Sequence, residues 1–263
     1  MTIKKILLPF LSFILRNIPS HYYRKIFAKI VGPYFDGYIA NTAYGFPMIA
    51  RWYDNTNRVS FEGSYGIVAD FIKKLPHNSM FIDIGANQGC TSIFASNVLK
   101  KNENGVVLAF EPSPSLYNLM KKNIDLNNCN NVFTFNKAIS SKEAELFLDE
   151  SDLGNSGASH ISDKGCKVIA SPLKFEHIKE FGIHNNIYVK IDTEGYELSV
   201  LHGINDLFEA KLIRKLVIEI DDINLMKYNC TPLEIYDYLD NYNFKPTIGL
   251  QKKGHYDEVF IEK

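Results

Sequence analysis

Phe81-Ile82-Asp83-Ile84-Gly85-Ala86-Asn87-Gln88-Gly89 is the stretch whose reading decides the fold. Met80 to Ile84 is a short β run, and the glycine bend after it opens into a helix predicted over Thr91 to Lys100. Gly85 and Gly89 let the backbone pass close to a ligand with no Cβ in the way. A bend at the carboxyl end of a strand is also where open α/β sheets bind their ligands. Working outward, Val106 to Phe110 is wholly apolar, as a strand buried on both faces requires, and it ends in Glu111-Pro112. Strands are expected over Val132–Asn136, Lys167–Ala170, Ile187–Ile191 and Lys215–Ile220. Helices are expected over Ser64–Leu75, Ser115–Leu126, Tyr196–His202 and from Thr231-Pro232 to Asn241. Thr231 serves as N-cap of the last, with proline first in the helix. Phe244–Ile248 and Glu258–Ile261 suit a closing antiparallel pair. Such alternation of strand and helix specifies an α/β fold with a mostly parallel sheet. Glu145 to Cys166, with Gly and Ser clustered at Gly154–Ser159, reads as a mobile loop.

The chain has 263 residues, 46% hydrophobic and 22% charged, enough for one large α/β domain with a core of its own. Residues 61–263 are expected to form that domain, and 1–60 a helical N-terminal extension that serves as a peripheral membrane or acceptor-side element. The formal net charge is −1, with acids and bases interspersed. A phosphate-neutralising protein would carry a basic excess, so nucleic acid is excluded as a partner. Cys90, Cys129, Cys166 and Cys230 are widely spaced and read as reduced thiols. Lys4 and Lys5 precede an apolar run, Ile6 to Leu15, that is shorter than the roughly 20 residues a membrane span needs. A helix covering the domain, or a peripheral membrane contact through residues 1–20, accounts for it, and the expected location is the cytoplasm.

The bend and the next strand tip together suggest an adenosine site. Glu111 is placed to accept both ribose hydroxyls, as the acid after the second strand does in dinucleotide folds. The glycines nevertheless read G-x-x-x-G, with Asn87 in place of a second glycine. Asp83 would repel a pyrophosphate and suits a cationic ligand instead. The charge logic favours the sulfonium of S-adenosyl-L-methionine over NAD. An NAD-dependent oxidoreductase and a non-catalytic donor-binding subunit are the rival readings.

Four blocks in order, Phe81–Gly89, Ala109–Pro114, Val189–Glu197 and Val200–Gly203, resemble the FkbM family of methyltransferases. The resemblance runs from about Phe61 to Ile261. It implies a Rossmann-like class I methyltransferase fold with a seven-stranded sheet and helices on both faces, bound S-adenosyl-L-methionine, and O-methylation of a sugar, glycan or secondary-metabolite hydroxyl. By position, Asp83, Gly85, Ala86, Asn87 and Gly89 would form the donor turn, Glu111 would hold the ribose and Ala138 would lie against the adenine. The acid that the family often has before the first helix falls here near Ser64, with Glu62 as a substitute.

At the fourth strand, a free alcohol is a poor nucleophile and would gain from a base in hydrogen-bond reach. Asp192 at the strand tip is the first choice as base or positioning group, and Glu194 the second. Either could instead cap the following helix. Lys190 shares strand parity with Asp192 and is expected to pair with it or with Glu219. Glu219, in an apolar strand, must be paired or line the acceptor pocket. His160 and His202 are lesser candidates, and His202 is expected to serve a helix end. No metal is required by these residues, although Asp192 and Glu194 could admit one. The acceptor's identity and the oligomeric state are open at this point.

Overall fold

The computed structural model describes residues 13–14, 17–18, 21–100, 105–150, 156–182, 186–251 and 254–263. The apolar run from Ile6 therefore lies largely outside the described residues, as do Gly154 and Asn155. Phe13, Ile14 and Asn17 are helical and precede helix α1 (His21–Phe35), a hairpin of β1 (Ile39–Asn41) and β2 (Pro47–Ile49), helix α2 (Asn55–Glu62) and helix α3 (Gly66–Lys73). The main sheet then takes β3 (Met80–Ile84), β4 (Val106–Phe110), β5 (Val132–Phe135), β10 (Ile187–Ile191), β11 (Ile213–Asp221), β12 (Phe244–Pro246) and β13 (His255–Glu262). Its order is β12-β13-β11-β10-β3-β4-β5, with β13 antiparallel to both neighbours and the other pairs parallel. From β3 the chain builds outward to β4 and β5, then crosses back to lay β10 on the other side. That reversal leaves a crevice above the carboxyl ends of β3 and β10, where ligands bind in such sheets.

Helices cover both faces because alternate strand residues are apolar on both sides. Ile82, Ile84, Leu108, Val189 and Ile191 face helices α7 (Glu197–Gly203), α8 (Asn205–Glu209) and α10 (Pro232–Asn241). Phe81, Val107 and Val217 face α3 and helix α4 (Cys90–Leu99). Helix α5 (Pro114–Leu126) starts at Ser113, whose Oγ accepts from Leu116 N at 3.1 Å, with proline in its first turn. Pro232 likewise begins α10, where Glu234 Oε2 accepts from Thr231 N at 2.8 Å.

Three expectations need correction. The helix predicted over Ser64–Leu75 is shorter, because Gly63, at φ 77°, ends α2 in a left-handed cap and α3 starts only at Gly66. The expected boundary after residue 60 therefore falls inside α2. The extension is not wholly helical either, since it contains the β1–β2 hairpin. Finally, the predicted loop over 145–166 holds strands as well: β7 (Ala144–Asp149) and β8 (His160–Ser162) lie in it and, with β9 (Cys166–Ser171), join β6 (Ala138–Ile139) in the order β6-β9-β7-β8. Short, half-exposed strands such as these take their order from cross-strand pairing, which local composition does not encode. The four cysteines are free thiols.

Candidate active site

A cavity of about 570 Å³ opens over the carboxyl ends of β3, β4, β10 and β11. Its floor at one end is the turn after β3. Gly85 N and Ala86 N both donate to Phe110 O at 3.0 Å, which ties the turn to the tip of β4. Gly85 sits at φ 79°, and a Cβ there would lie 1.8 Å from Asp192 O, so the tips of β3 and β10 meet only because this residue has no side chain. Asn87 adopts φ 52°, and its N donates to Glu111 Oε2 at 2.7 Å. Ser113 N donates to Glu111 Oε1 at 2.9 Å. Glu111 is only 5% exposed, and burial pushes its carboxyl up to about 7 despite these two amides. Gly85, Ala86, Asn87, Glu111 and Ala138 all line the cavity.

Asp83 and Gly89 do not. Asp83 shares its strand face with Phe81, so its side chain points under the turn toward α4. There Thr91 Oγ1 and Ser92 Oγ donate to Asp83 Oδ2 at 2.6 and 2.5 Å. The β3–β10 register sets Lys190 opposite Asp83, and Lys190 Nζ lies 3.4 Å from Asp83 Oδ1 and 3.1 Å from Asp192 Oδ2. Burial opposes the Lys190 charge, but Asp192 and Asp83 outweigh it and hold its pKa above the usual lysine range. Asp83, Lys190 and Asp192 thus form an ion chain beneath the turn. Gly89 caps α4 at φ 85°, where a Cβ would meet Met120 Cγ at 2.8 Å. Glu62 is also turned away, paired to Arg58 at 2.6 Å and to Arg24 at 3.5 Å. His202 stacks edge-on against Tyr238 and stays outside the cavity lining.

Opposite the turn, the wall is acidic. Continuing the strand register beyond Ile191–Ile218 brings Asp192 beside Glu219, and Glu219 faces Asp257 across β11–β13. Asp192, Glu194, Glu219 and Asp257 line the cavity together with His255, Asn224 and Lys227. Glu194, at φ 54°, accepts from Asn224 Nδ2 at 2.7 Å. Burial, then Asp192 and Glu197, push its carboxyl up to about 8. Glu219 is pushed well up by burial and by Asp192. Its Oε1 lies 2.7 Å from His255 Nε2, which raises the imidazole to about 9, while its buried Oε2 has no hydrogen-bond partner among the described residues. Asp257 rises to about 6, chiefly through burial. Asp192, Glu194 and Glu219 each offer an oxygen within 4.8 Å of one another, a spacing that could hold a cation. Neither Asp192 nor Glu194 caps α7, whose N-cap Tyr196 makes no side-chain cap bond; Glu197 Oε1 instead accepts from Thr193 N and Gly195 N at 2.9 and 3.2 Å and ties down the turn before the helix.

The third side comes from the N-terminal segment, expected as an acceptor-side element, although none of the residues that form it was singled out in the sequence. Asn55, Thr56 and Val59 of α2 line the cavity beside Ser156, Gly157 and His160. Asp54, fully buried, is the hub. Its Oδ1 accepts from Thr56 N at 3.1 Å and Ser156 N at 3.2 Å, and its Oδ2 accepts from Gln88 Nε2 at 2.9 Å. Gln88 also donates to Ser156 Oγ at 3.0 Å and accepts from Asn57. One carboxylate thus joins the N-terminal helix, the glycine turn and the segment above it. The signal for it was the Asp54-x-x-Asn57 start of α2, a helix that periodicity alone did not expose.

Residues 83–246 match the model of the methyltransferase FkbM domain. The chain belongs to the FkbM methyltransferase family. Membership of a methyltransferase family counts against the NAD-dependent oxidoreductase reading. Among FkbM-like relatives, the hexuronic acid methyltransferase AglP of Haloferax volcanii is 23% identical over 158 residues, 60% of this chain and 62% of that protein. The match thus spans less than two thirds of AglP. Methyltransferase sdnD of Sordaria araneosa is 23% identical over 181 residues, 56% of this chain and 68% of that protein. The crystal structure of methyltransferase FkbM from Methylobacillus flagellatus is 14% identical with a TM-score of 0.47, covering 80% of this chain and 53% of that one.

Proposed function

We propose that this protein transfers the methyl group of S-adenosyl-L-methionine to a hydroxyl oxygen of a sugar, glycan or secondary metabolite. The observation that carries the reading is the polarity of one cavity, with Glu111 clamped by backbone amides at one end and the acids around Asp192 at the other. Glu111 has an unused lone pair on each oxygen and suits the two ribose hydroxyls. Ala86 and Asn87 present the turn backbone to the donor, and Ala138 offers a flat apolar contact for the adenine. The donor supplies a carbon activated by positive sulfur, so alignment of the acceptor oxygen accounts for much of the rate.

Of the two fourth-strand acids, Glu194 is the better base. Its pKa near 8 matches a working pH near neutrality, whereas Asp192 is tied to Lys190 at 3.1 Å. Asp192 then orients the acceptor hydroxyl, and Glu194 takes its proton as the new carbon–oxygen bond forms. The Haloferax volcanii relative, named for a hexuronic acid, favours a sugar as acceptor.

Calorimetry with S-adenosylhomocysteine tests the donor half. Binding is expected, and Glu111→Gln should weaken it about 10- to 100-fold, the loss of one or two charged hydrogen bonds. Absence of binding by folded protein would end the reading. Donor carrying a labelled methyl, incubated with a glycan extract, tests the acceptor half: label on a hydroxyl survives mild alkali, whereas a methyl ester does not.

A further inference from the structure

Charge is unevenly placed along this chain. The first 35 residues hold six basic side chains, Lys4, Lys5, Arg16, Arg24, Lys25 and Lys29, and no acid, in a protein with a formal net charge of −1. Within this stretch α1 spans His21–Phe35. One stripe of α1, Phe27, Val31 and Phe35, packs into the cluster that holds Trp52. Gly32 lets the helix close on Trp52, since a Cβ there would stand 2.8 Å from Trp52 Cβ. Beside that stripe runs a second, Ile26, Ile30 and Tyr34, set four residues apart and so stacked on one face. These three are 38%, 65% and 65% exposed. Exposed Lys29 flanks them on the side away from the core.

Single exposed apolar residues are ordinary, but an aligned row on one helix face calls for a partner. A second copy of the same face would bring two acid-free, basic segments together, and their charges would repel. An anionic surface meets both features at once. We propose that α1 lies on a bilayer containing anionic lipid, with Ile26, Ile30 and Tyr34 at the boundary between headgroups and acyl chains and Lys29 paired with lipid phosphate. No helix among the described residues is long and apolar enough to cross a membrane. The contact is a helix lying in the surface plane. It stands independently of the methyl-transfer reading.

The test is co-sedimentation of the full chain with phosphatidylcholine vesicles, with and without phosphatidylglycerol, at low and high salt. The protein should pellet with the phosphatidylglycerol vesicles, and salt should release it. Replacing the row (Ile26→Ser, Ile30→Ser, Tyr34→Ser) should cut partitioning at least about tenfold, and Lys29→Glu several-fold. A thermal melt matching the parent verifies that the triple variant is folded, and should it not fold, the exposed Lys29→Glu change carries the test alone. Failure to pellet with phosphatidylglycerol at low salt overturns the proposal, as does equal binding to phosphatidylcholine alone. Undiminished binding by a folded triple variant also overturns it, because contact then lies elsewhere. A dimer in sedimentation equilibrium that the triple variant abolishes, without vesicle binding, assigns the face to a second copy instead.

Discussion

The two ends of the cavity are built by different means. At the donor end the geometry is made by backbone: Gly85 and Ala86 donate to Phe110 O, Asn87 and Ser113 donate to Glu111, and Asp83 fixes the start of α4 through Thr91 and Ser92. At the acceptor end the geometry is made by side chains from β10, β11, β13 and α9 (Asp222–Met226), and carboxylates crowd there with several pKa values pushed up. A backbone-built site can be rigid and general, since the donor does not change. A side-chain-built site can be re-specified one residue at a time.

If that contrast holds, the largest effect should come from the donor floor. Gly85→Ala forces a Cβ against Asp192 O and keeps a left-handed φ, so folded yield should collapse or stability fall by at least about 4 kcal/mol in urea titration. A change below 1 kcal/mol would mean that the strand tips are not held by that contact. Next, Glu194→Gln should lower kcat/KM about 10²- to 10⁴-fold while leaving S-adenosylhomocysteine affinity within about twofold. Equal loss of both would merge the two ends into one unit. Asp54→Ala, at the hub joining them, removes a helix cap and the anchor of Gln88 and Ser156; it should cost about 2–3 kcal/mol of stability and weaken the donor site. Asp54→Asn should restore part of the cap.

The smallest effect concerns pH. Glu111 and Glu194 have folded pKa values of about 7 and 8, above those of the unfolded chain. Between about pH 4.5 and 8 the folded protein therefore holds more protons than the unfolded one, and stability falls as pH rises through that window. Melting temperature should be higher by about 2–6 °C at pH 5.5 than at pH 8.5, with a shallower slope in Glu194→Gln. A rising melting temperature across the same range would contradict the crowding at the acceptor wall.

The glycine turn and Glu111, which meet at one end of the cavity, were legible as local features because each is set by a short-range requirement. A glycine where no Cβ fits, an acid one residue past an apolar strand and a proline opening a helix are local statements. Asp83 shows the limit of such statements: its spacing marks the turn, but strand parity sends its side chain below it, to Thr91, Ser92 and Lys190. Glu219 was marked locally as an acid in an apolar strand, but its neighbours were not, and His255 and Asp257 carry no local mark at all. They meet Asp192 because β11 and β13 pair in one register, and nothing within either strand specifies that neighbour.

From its sequence alone, this chain determined the order of strands and helices in the main sheet, the glycine turn after β3 and Glu111 at the tip of β4, since periodicity and backbone freedom act over a few residues. Only the tertiary structure decided that Asp54 and α2 complete the cavity, that the small sheet of β6 to β9 replaces a loop, and that the acceptor wall is a row of crowded acids. Those features depend on hydrogen bonds and charge interactions between residues as far apart as Asp54 and Ser156, which exist only once the chain has folded.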